Sequence, residues 1–414
     1  MAYGGNVTLR SVASLAVLAF ACSTAVAPAR AQEPIPVKFG ILADMGGTYS
    51  DIGGQGIIEA TQLAIEDFAK LPGANKLKIE LVAADTQNRP DIAANLARKW
   101  FDGENVDVVL DLPTSAIALA VAPIAQEKNK VSIVTAAGAS DITGRACTQN
   151  TVHWTWDTWS VSRATAAEMT KAGGKSWYFL TADYVFGHAL ERDAAGVVVA
   201  NGGKVLGAAR HPLDNKDYAS FLLQAQTSGA DVIGIANAGS DAVNAIKQAA
   251  EFGITRSKQK IAGMLLFITD IHSLTLNVMQ NVQFTTAFYW DLDDKTRAFG
   301  DRFAARYKGR YPSMTQAGAY SATLAYLQAV KKVGSTKDGR AVLKAIRDAG
   351  TFDDPLFGPS TLREDGRLIH RMLLVQVKKP EESKKPWDYF KIVGQISPEE
   401  AFRPLKDGSC PLIK

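Results

Sequence analysis

The fold of this chain turns on one stretch, Val37-Lys-Phe-Gly-Ile-Leu-Ala-Asp-Met-Gly-Gly-Thr-Tyr-Ser-Asp-Ile-Gly-Gly-Gln-Gly56. Val37, Phe39, Ile41 and Leu42 make the short apolar run of a strand covered on both faces. Gly46, Gly47, Gly53, Gly54 and Gly56 permit a sharp turn and a close backbone approach. From about residue 57 to residue 70, Ile57, Thr61, Ala64, Ile65 and Phe68 recur at spacings of three and four, the apolar face of a helix. A strand, a glycine-rich loop and a helix N-terminus in that order put the loop at the carboxyl end of a parallel sheet. Open α/β folds bind ligands there.

The unit repeats. Apolar strand patterns at 77–85, 106–112 and 131–135 alternate with helical patterns that begin near Pro90 and Ile117. Four β-α units in succession predict a doubly wound parallel sheet. Residues 152–160 then hold Trp154, Trp156 and Trp159, three of the seven tryptophans. The rhythm restarts with strand patterns at 176–181, 204–209, 231–236, 260–267 and 282–290. No low-complexity linker separates the two sets, so two α/β lobes with a cleft between them are expected, and interfaces of that kind favour ligand pockets. Residues 293–333 read as helical, 368–377 as a late strand, and the charged segment 378–389 as a solvated loop.

The bounds agree with this. A chain of 414 residues predicts two domains or more. Its 47% hydrophobic and 21% charged residues are ordinary for a globular protein. The net charge of +4 includes Arg10 and Arg30, which fall in a segment expected to be removed, and it is too small to argue for nucleic acid. Arg10, the apolar run at 12–26 and Ala29-Arg-Ala31 have the layout of a signal peptide cleaved after about Ala31. The run is too short for a stable membrane span. A lipoprotein acylated at Cys22 is the competing reading, but a leucine stands one place too far from that cysteine. Export permits a disulfide between the two remaining cysteines, Cys147 and Cys410, which would pin the C-terminal tail to the first half of the chain. Two unrelated thiols are the alternative.

Catalytic patterns are missing from the sequence. His153, His188, His211, His272 and His370 have no metal-ligand spacing, and neither a G-x-S-x-G elbow nor a phosphate-binding G-x-x-x-x-G-K-[ST] occurs. The reading is of a protein that is not an enzyme and needs no cofactor or metal. The strand-exit loops are more informative. Residues 113–115, 136–140, 183–187 and 237–239 all fall where a sheet's carboxyl end meets the cleft, and hydroxyls and free N–H groups there suit an anion. Capped βα turns are the plainer account of any single loop. Tyr49, Trp156, Trp159, Tyr184, Phe186, Tyr289 and Trp290 lie in exit loops or near crossovers. An aromatic-walled pocket for a flat ligand is one reading and hinge packing the other.

Taken with the export signal, Gly46-Gly-Thr-Tyr-Ser-Asp-Ile-Gly53, Thr114-Ser115, Ala136-Ala-Gly-Ala-Ser140 and Asp183-Tyr-Val-Phe-Gly187 resemble the leucine/isoleucine/valine-type branch of periplasmic solute-binding proteins that serve ABC importers. The resemblance runs from about residue 37 to residue 369. It implies the type I fold, two Rossmann-like lobes joined by three crossovers, near Trp156, Thr286 and Gly358-Pro-Ser-Thr361. The implied division is 1–31 signal peptide, 32–156 plus 287–358 one lobe, 157–286 plus 359–395 the other, and 396–414 a tail. It further implies a periplasmic monomer that closes on a small organic acid and docks on a membrane permease, with no nucleic-acid partner.

Carried over by position, the carboxylate site falls on Thr114 or Ser115 with the backbone of Ala137, Gly138, Ala139 and Ser140. The second-lobe aromatic falls on Phe186, and the next loop on Asn237 and Ala238. Tyr49, Trp159, Tyr184 and Tyr289 complete the expected wall. One departure stands out. Amino-acid binders of this kind place an acid just after the segment matching Ile261-Ala-Gly263, to hold the ligand's ammonium, whereas Met264-Leu265-Leu266 stands here. An unpaired ammonium in a closed cleft costs several kcal/mol. The expectation is therefore an aromatic carboxylate, with a branched-chain amino acid or small amide as the rival, for which Asp183 or Asp157 would have to meet the ammonium.

Overall fold

The protein is seen in a computed structural model that describes residues 1, 4–5 and 33–413. The expected signal peptide, with Arg10, Cys22 and the Ala31 cleavage position, lies outside the described residues.

The opening strand, β1 (Ile35–Ala43), is central in a five-stranded parallel sheet with β2 (Leu77–Asp85), β3 (Val108–Asp111), β4 (Val131–Val134) and β5 (Thr151–His153). The order is β2-β1-β3-β4-β5. Alternate side chains of β1 enter two separate cores. Phe39 and Ile41 pack with Ile57, Ala60 and Phe68 of the following helix, while Leu42 joins Trp100, Val106 and Val109 on the other face. That is why the run is apolar throughout rather than alternating. The helix spans Gly54–Ala69, three residues earlier than its apolar spacing alone indicates.

A second parallel sheet holds β6 (Ser176–Ala182), β7 (Lys204–His211), β8 (Val232–Ala236) and β9 (Lys260–Gly263) in the order β7-β6-β8-β9. Strand β9 is half the expected length. Residues 264–267 leave the ladder and turn towards the cleft. Beyond β10 (Gln283–Thr286) the chain forms two helices, Asp294–Arg306 and Met314–Val333, where one continuous helical pattern is expected. Strands β11 (Thr351–Asp354), β12 (Gly358–Leu362) and β13 (Leu368–Ile369) make a small antiparallel sheet. A bridge from His153 to Arg367 ties it to β5. Strands β14 (Met372–Val377) and β15 (Phe390–Ile396) instead join β10. The expected late strand is thus split at His370 and Arg371, where the chain passes from one sheet to the other. The fold is α/β, with two lobes on parallel sheets joined by three crossovers.

Two further expectations concern the C-terminal third. The segment 378–389 is solvated over 379–386, as expected, but its end is not. Trp387 and Asp388 are buried, Trp387 stacks on His272 at 4.2 Å, and its carbonyl accepts the Trp290 indole N–H at 2.9 Å. The tail crosses back to the first lobe. Cys147 and Cys410 are bonded, with Cα atoms 5.6 Å apart and 263 residues between them in sequence. Arg403 donates to the Ser140 carbonyl at 3.0 Å beside this bond. Closing so long a loop restricts the unfolded chain, so the Cys147→Ser/Cys410→Ser variant should lose about 2–4 kcal/mol. Chemical unfolding under oxidising conditions measures this, and an unchanged midpoint contradicts it.

Candidate functional site

Asp44 directly follows strand β1, and this one carboxylate shapes the loop after it. It accepts the N–H groups of Gly47 (2.6 Å) and Tyr49 (2.8 Å) and the Asn88 side-chain amide (2.6 Å). The loop folds around the acid and holds Tyr49 inward. Strand β3 ends in an unusual turn, with Asp111 at φ 84° and Leu112 at φ 57°, a conformation that costs non-glycine residues free energy and tends to occur at functional sites. It delivers Pro113 and the N-terminus of the helix Ser115–Glu127 to the cleft.

These loops and their counterparts from the second sheet surround a narrow cavity. The lining comprises Tyr49, Ile52, Pro113, Ser115, Ala136, Ala137, Gly138, Trp156, Tyr184, Phe186, Ala238, Leu265 and Phe267. None of these carries a charge. The Trp156 ring meets Phe186 at 6.1 Å and Phe267 at 6.0 Å, both edge-on, and Phe186 lies 5.9 Å from Tyr184.

The polar groups follow from a count of donors. Ala137 N–H is spent on the Leu112 carbonyl, Ala139 N–H on Ser115 Oγ at 3.0 Å and Ser140 N–H on Thr158 Oγ1 at 3.1 Å. Gly138 N–H has no acceptor among the described residues. Ser115 Oγ accepts from Ala139, which leaves its own proton to donate. The Trp156 indole N–H is likewise without a partner among the described residues. A buried donor without an acceptor costs about 1–3 kcal/mol, and the N-terminus of the helix that begins at Ser115 favours negative charge. His153 supports this corner. Its Nε2–H donates to the Ala137 carbonyl at 2.7 Å, and burial, aided by Arg367, pushes its pKa down to about 3, so it stays neutral.

Of the expected site residues, Tyr49, Ser115, Ala137, Gly138, Tyr184, Phe186, Ala238 and Leu265 come together around this cavity. Six lie elsewhere. Thr114 caps the helix, accepting Ile117 N–H at 3.2 Å. Ala139 and Ser140 turn behind the wall, and Ser140 Oγ donates to Asp193 across the lobes at 2.7 Å. Trp159 lines a separate surface cleft with Arg163, Arg192 and Arg403. Asn237 is bonded to His211 at 2.9 Å. The Tyr289 hydroxyl donates to Asp388 at 3.3 Å, and its ring packs on Phe390 in the core. Phe267 carries no site signal in the sequence, because its apolar run continues that of a strand that stops at Gly263. Ile52, Pro113 and Ala136 flank expected positions by one or a few residues. Neither acid expected to meet an ammonium, Asp157 or Asp183, lines the cavity. Asp157 caps the helix Thr158–Lys171 and faces Arg367, and Asp183 is paired with His188 at the surface.

The lobes touch at the rim. Ser240 N–H donates to the Thr48 carbonyl at 3.1 Å. Gly239, at φ 61°, leaves room for this contact, since a Cβ there would lie 2.4 Å from that same oxygen.

One buried acid sits behind the cavity. Burial pushes the pKa of Asp111 up to about 8, with Thr135 opposing and Asp44 adding to it. A raised carboxyl pKa contributes stability that is complete below the ordinary range near 4 and is lost as the pH rises through about 8. Asp111→Asn should therefore grow more stable relative to the native protein as pH increases over that window. Urea midpoints at a series of pH values test this, and a pH-independent difference contradicts it.

Comparison with known proteins agrees with this architecture. The periplasmic binding protein family matches residues 36–384. A periplasmic binding protein from Burkholderia mallei is 46% identical, with a TM-score of 0.87, over 92% of this chain and 100% of that one. A branched chain amino acid ABC transporter periplasmic ligand-binding protein from Burkholderia xenovorans is 39% identical, with a TM-score of 0.79, over 91% and 100%. A solute binding protein of an ABC transporter from Rhodopseudomonas palustris, solved in complex with 3,4-dihydroxybenzoic acid, shares the fold at 23% identity and a TM-score of 0.77, over 87% and 97%. The chain belongs to the periplasmic binding protein family and is an ABC-type solute-binding protein of its branched-chain amino acid branch, not an enzyme.

Proposed function

We propose that this protein captures a small aromatic carboxylate between its lobes and delivers it to an ABC importer permease. The observation that carries the reading is the absence of any charged side chain from the cavity lining. A carboxylate is served there by Gly138 N–H, the Ser115 hydroxyl and the helix N-terminus. An α-ammonium finds no carboxylate partner in the lining, and burying one without a counter-charge costs several kcal/mol. Trp156, Phe186 and Phe267 suit a flat apolar body. The dihydroxybenzoate held by the R. palustris relative supports the same ligand class. In this reading the protein is an exported monomer. One lobe comprises residues 34–156 and 287–369, the other 157–286 and 370–396, with the tail strapped back by its disulfide.

A thermal-shift panel tests the ligand class. Benzoate and hydroxybenzoates should raise the melting temperature, and leucine and valine should not. The relative from B. xenovorans keeps the branched-chain alternative specific. Stabilisation by leucine or valine, with no response to the benzoates, would establish that alternative instead.

A further inference from the structure

The hydroxyl oxygens of Tyr49 and Tyr184 lie 2.6 Å apart. They come from opposite lobes, Tyr49 from the loop after β1 and Tyr184 from the start of the helix Val185–Ala200. Both line the cavity. Each phenol carries one proton, and the bond between them uses one of the two. Neither hydroxyl has another partner among the described residues. Burial raises the pKa of both, so neither gives up its proton near neutral pH. One O–H is therefore left without an acceptor in a cavity whose lining also includes the apolar Ile52, Phe186, Ala238 and Leu265.

We propose that Tyr49 and Tyr184 act together as a specificity-determining donor for an acceptor oxygen on the ligand, so that the site favours carboxylates bearing a hydroxyl or carbonyl across the body from the carboxylate. This rests on the cavity being the ligand site. The placement follows from the rings. Tyr184 is followed by Phe186 and then Trp156, and the Trp156 ring abuts Gly138, so the hydroxyl pair stands two aromatic residues away from the carboxylate corner. A ligand oxygen that accepts the spare proton completes a chain joining both lobes. A site built around such a donor rejects the analogue lacking the acceptor, because the donor is then buried unpaired.

Titration calorimetry on the mature protein and the Tyr49→Phe/Tyr184→Phe variant tests this with two matched ligand pairs. One pair is benzoate and 4-hydroxybenzoate, and the other is 4-methylpentanoate and 4-oxopentanoate. The native protein should prefer the acceptor-bearing member by about tenfold or more, and the variant should bring the ratio to within about twofold of one. Thermal unfolding of the variant checks that it is folded. A native ratio near one, or a ratio the variant leaves unchanged, overturns the proposal. If the aromatic reading alone fails, only the aliphatic pair binds and the ratio is read there. Binding of neither pair overturns both.

Discussion

Replacing Arg367 with methionine is expected to cost about 3–5 kcal/mol of stability, the penalty for removing one partner of a buried charge network. Arg367 is 0% exposed. Its guanidinium donates to the carbonyls of Trp156 (2.8 Å), Trp154 (3.1 Å) and Leu368 (3.0 Å). It lies 3.9 Å from the Asp157 carboxylate and over the Phe402 ring at 4.6 Å. Burial lowers its pKa to about 10, which leaves it charged at neutral pH. Burial alone would raise the pKa of Asp157, yet Arg367 and its other neighbours hold it below the usual range. Methionine fills much of the volume but strands three carbonyls and one carboxylate. Lysine would not rescue it, because a point charge cannot reproduce the planar fork. The network also laces the first crossover to the third, so the variant should loosen the relation between the lobes. Equilibrium urea unfolding gives the number, and a loss under about 1 kcal/mol would place the network among weak surface pairs.

Gly138→Ala should weaken ligand binding by about 100-fold or more, the effect of misplacing both a wall and a donor of the site. A Cβ on Gly138 would stand 2.1 Å from the Trp156 ring. That ring is held edge-on by Phe186 and Phe267, so it cannot retreat without moving two other walls. The displaced backbone would also re-aim the one free N–H of the 137–140 turn. Gly196→Ala is the control. Nothing lies within 4 Å of a Cβ there, and affinity should not change. Equal affinities for the native protein and Gly138→Ala would remove Gly138 from the site.

Much of this was legible from residue pattern because parallel strands buried on both faces are short apolar runs with glycine and hydroxyl residues at their exits. The opening stretch and its repeats gave the two sheets and the cleft. Within the exits, resolution to one residue was not available. Thr114 and Ser115 are chemically alike and adjacent, yet one caps its helix and the other faces the cavity, and only the turn at Asp111 and Leu112 decides which. The same holds for residues 137–140, where partners contributed by Leu112, Ser115 and Thr158 consume three of four N–H groups. Arg367 gave no sequence signal, because its principal partners are backbone carbonyls 211 and 213 residues away. Within 378–389 the lysines and glutamates are solvated as their charge indicates, and Trp387 departs, its burial depending on His272 and Trp290 from distant segments. The missing acid after Gly263 was visible in the sequence. Leu265 stands on the cavity wall in its place, with Asp157 and Asp183 both committed elsewhere.

The central claim is that the cavity takes a carboxylate without an ammonium. Mass spectrometry of small molecules released on unfolding freshly purified protein tests it most directly. An aromatic carboxylic acid is expected in near-stoichiometric amount, lost from Gly138→Ala. Recovery of leucine, isoleucine or valine in that amount would contradict it.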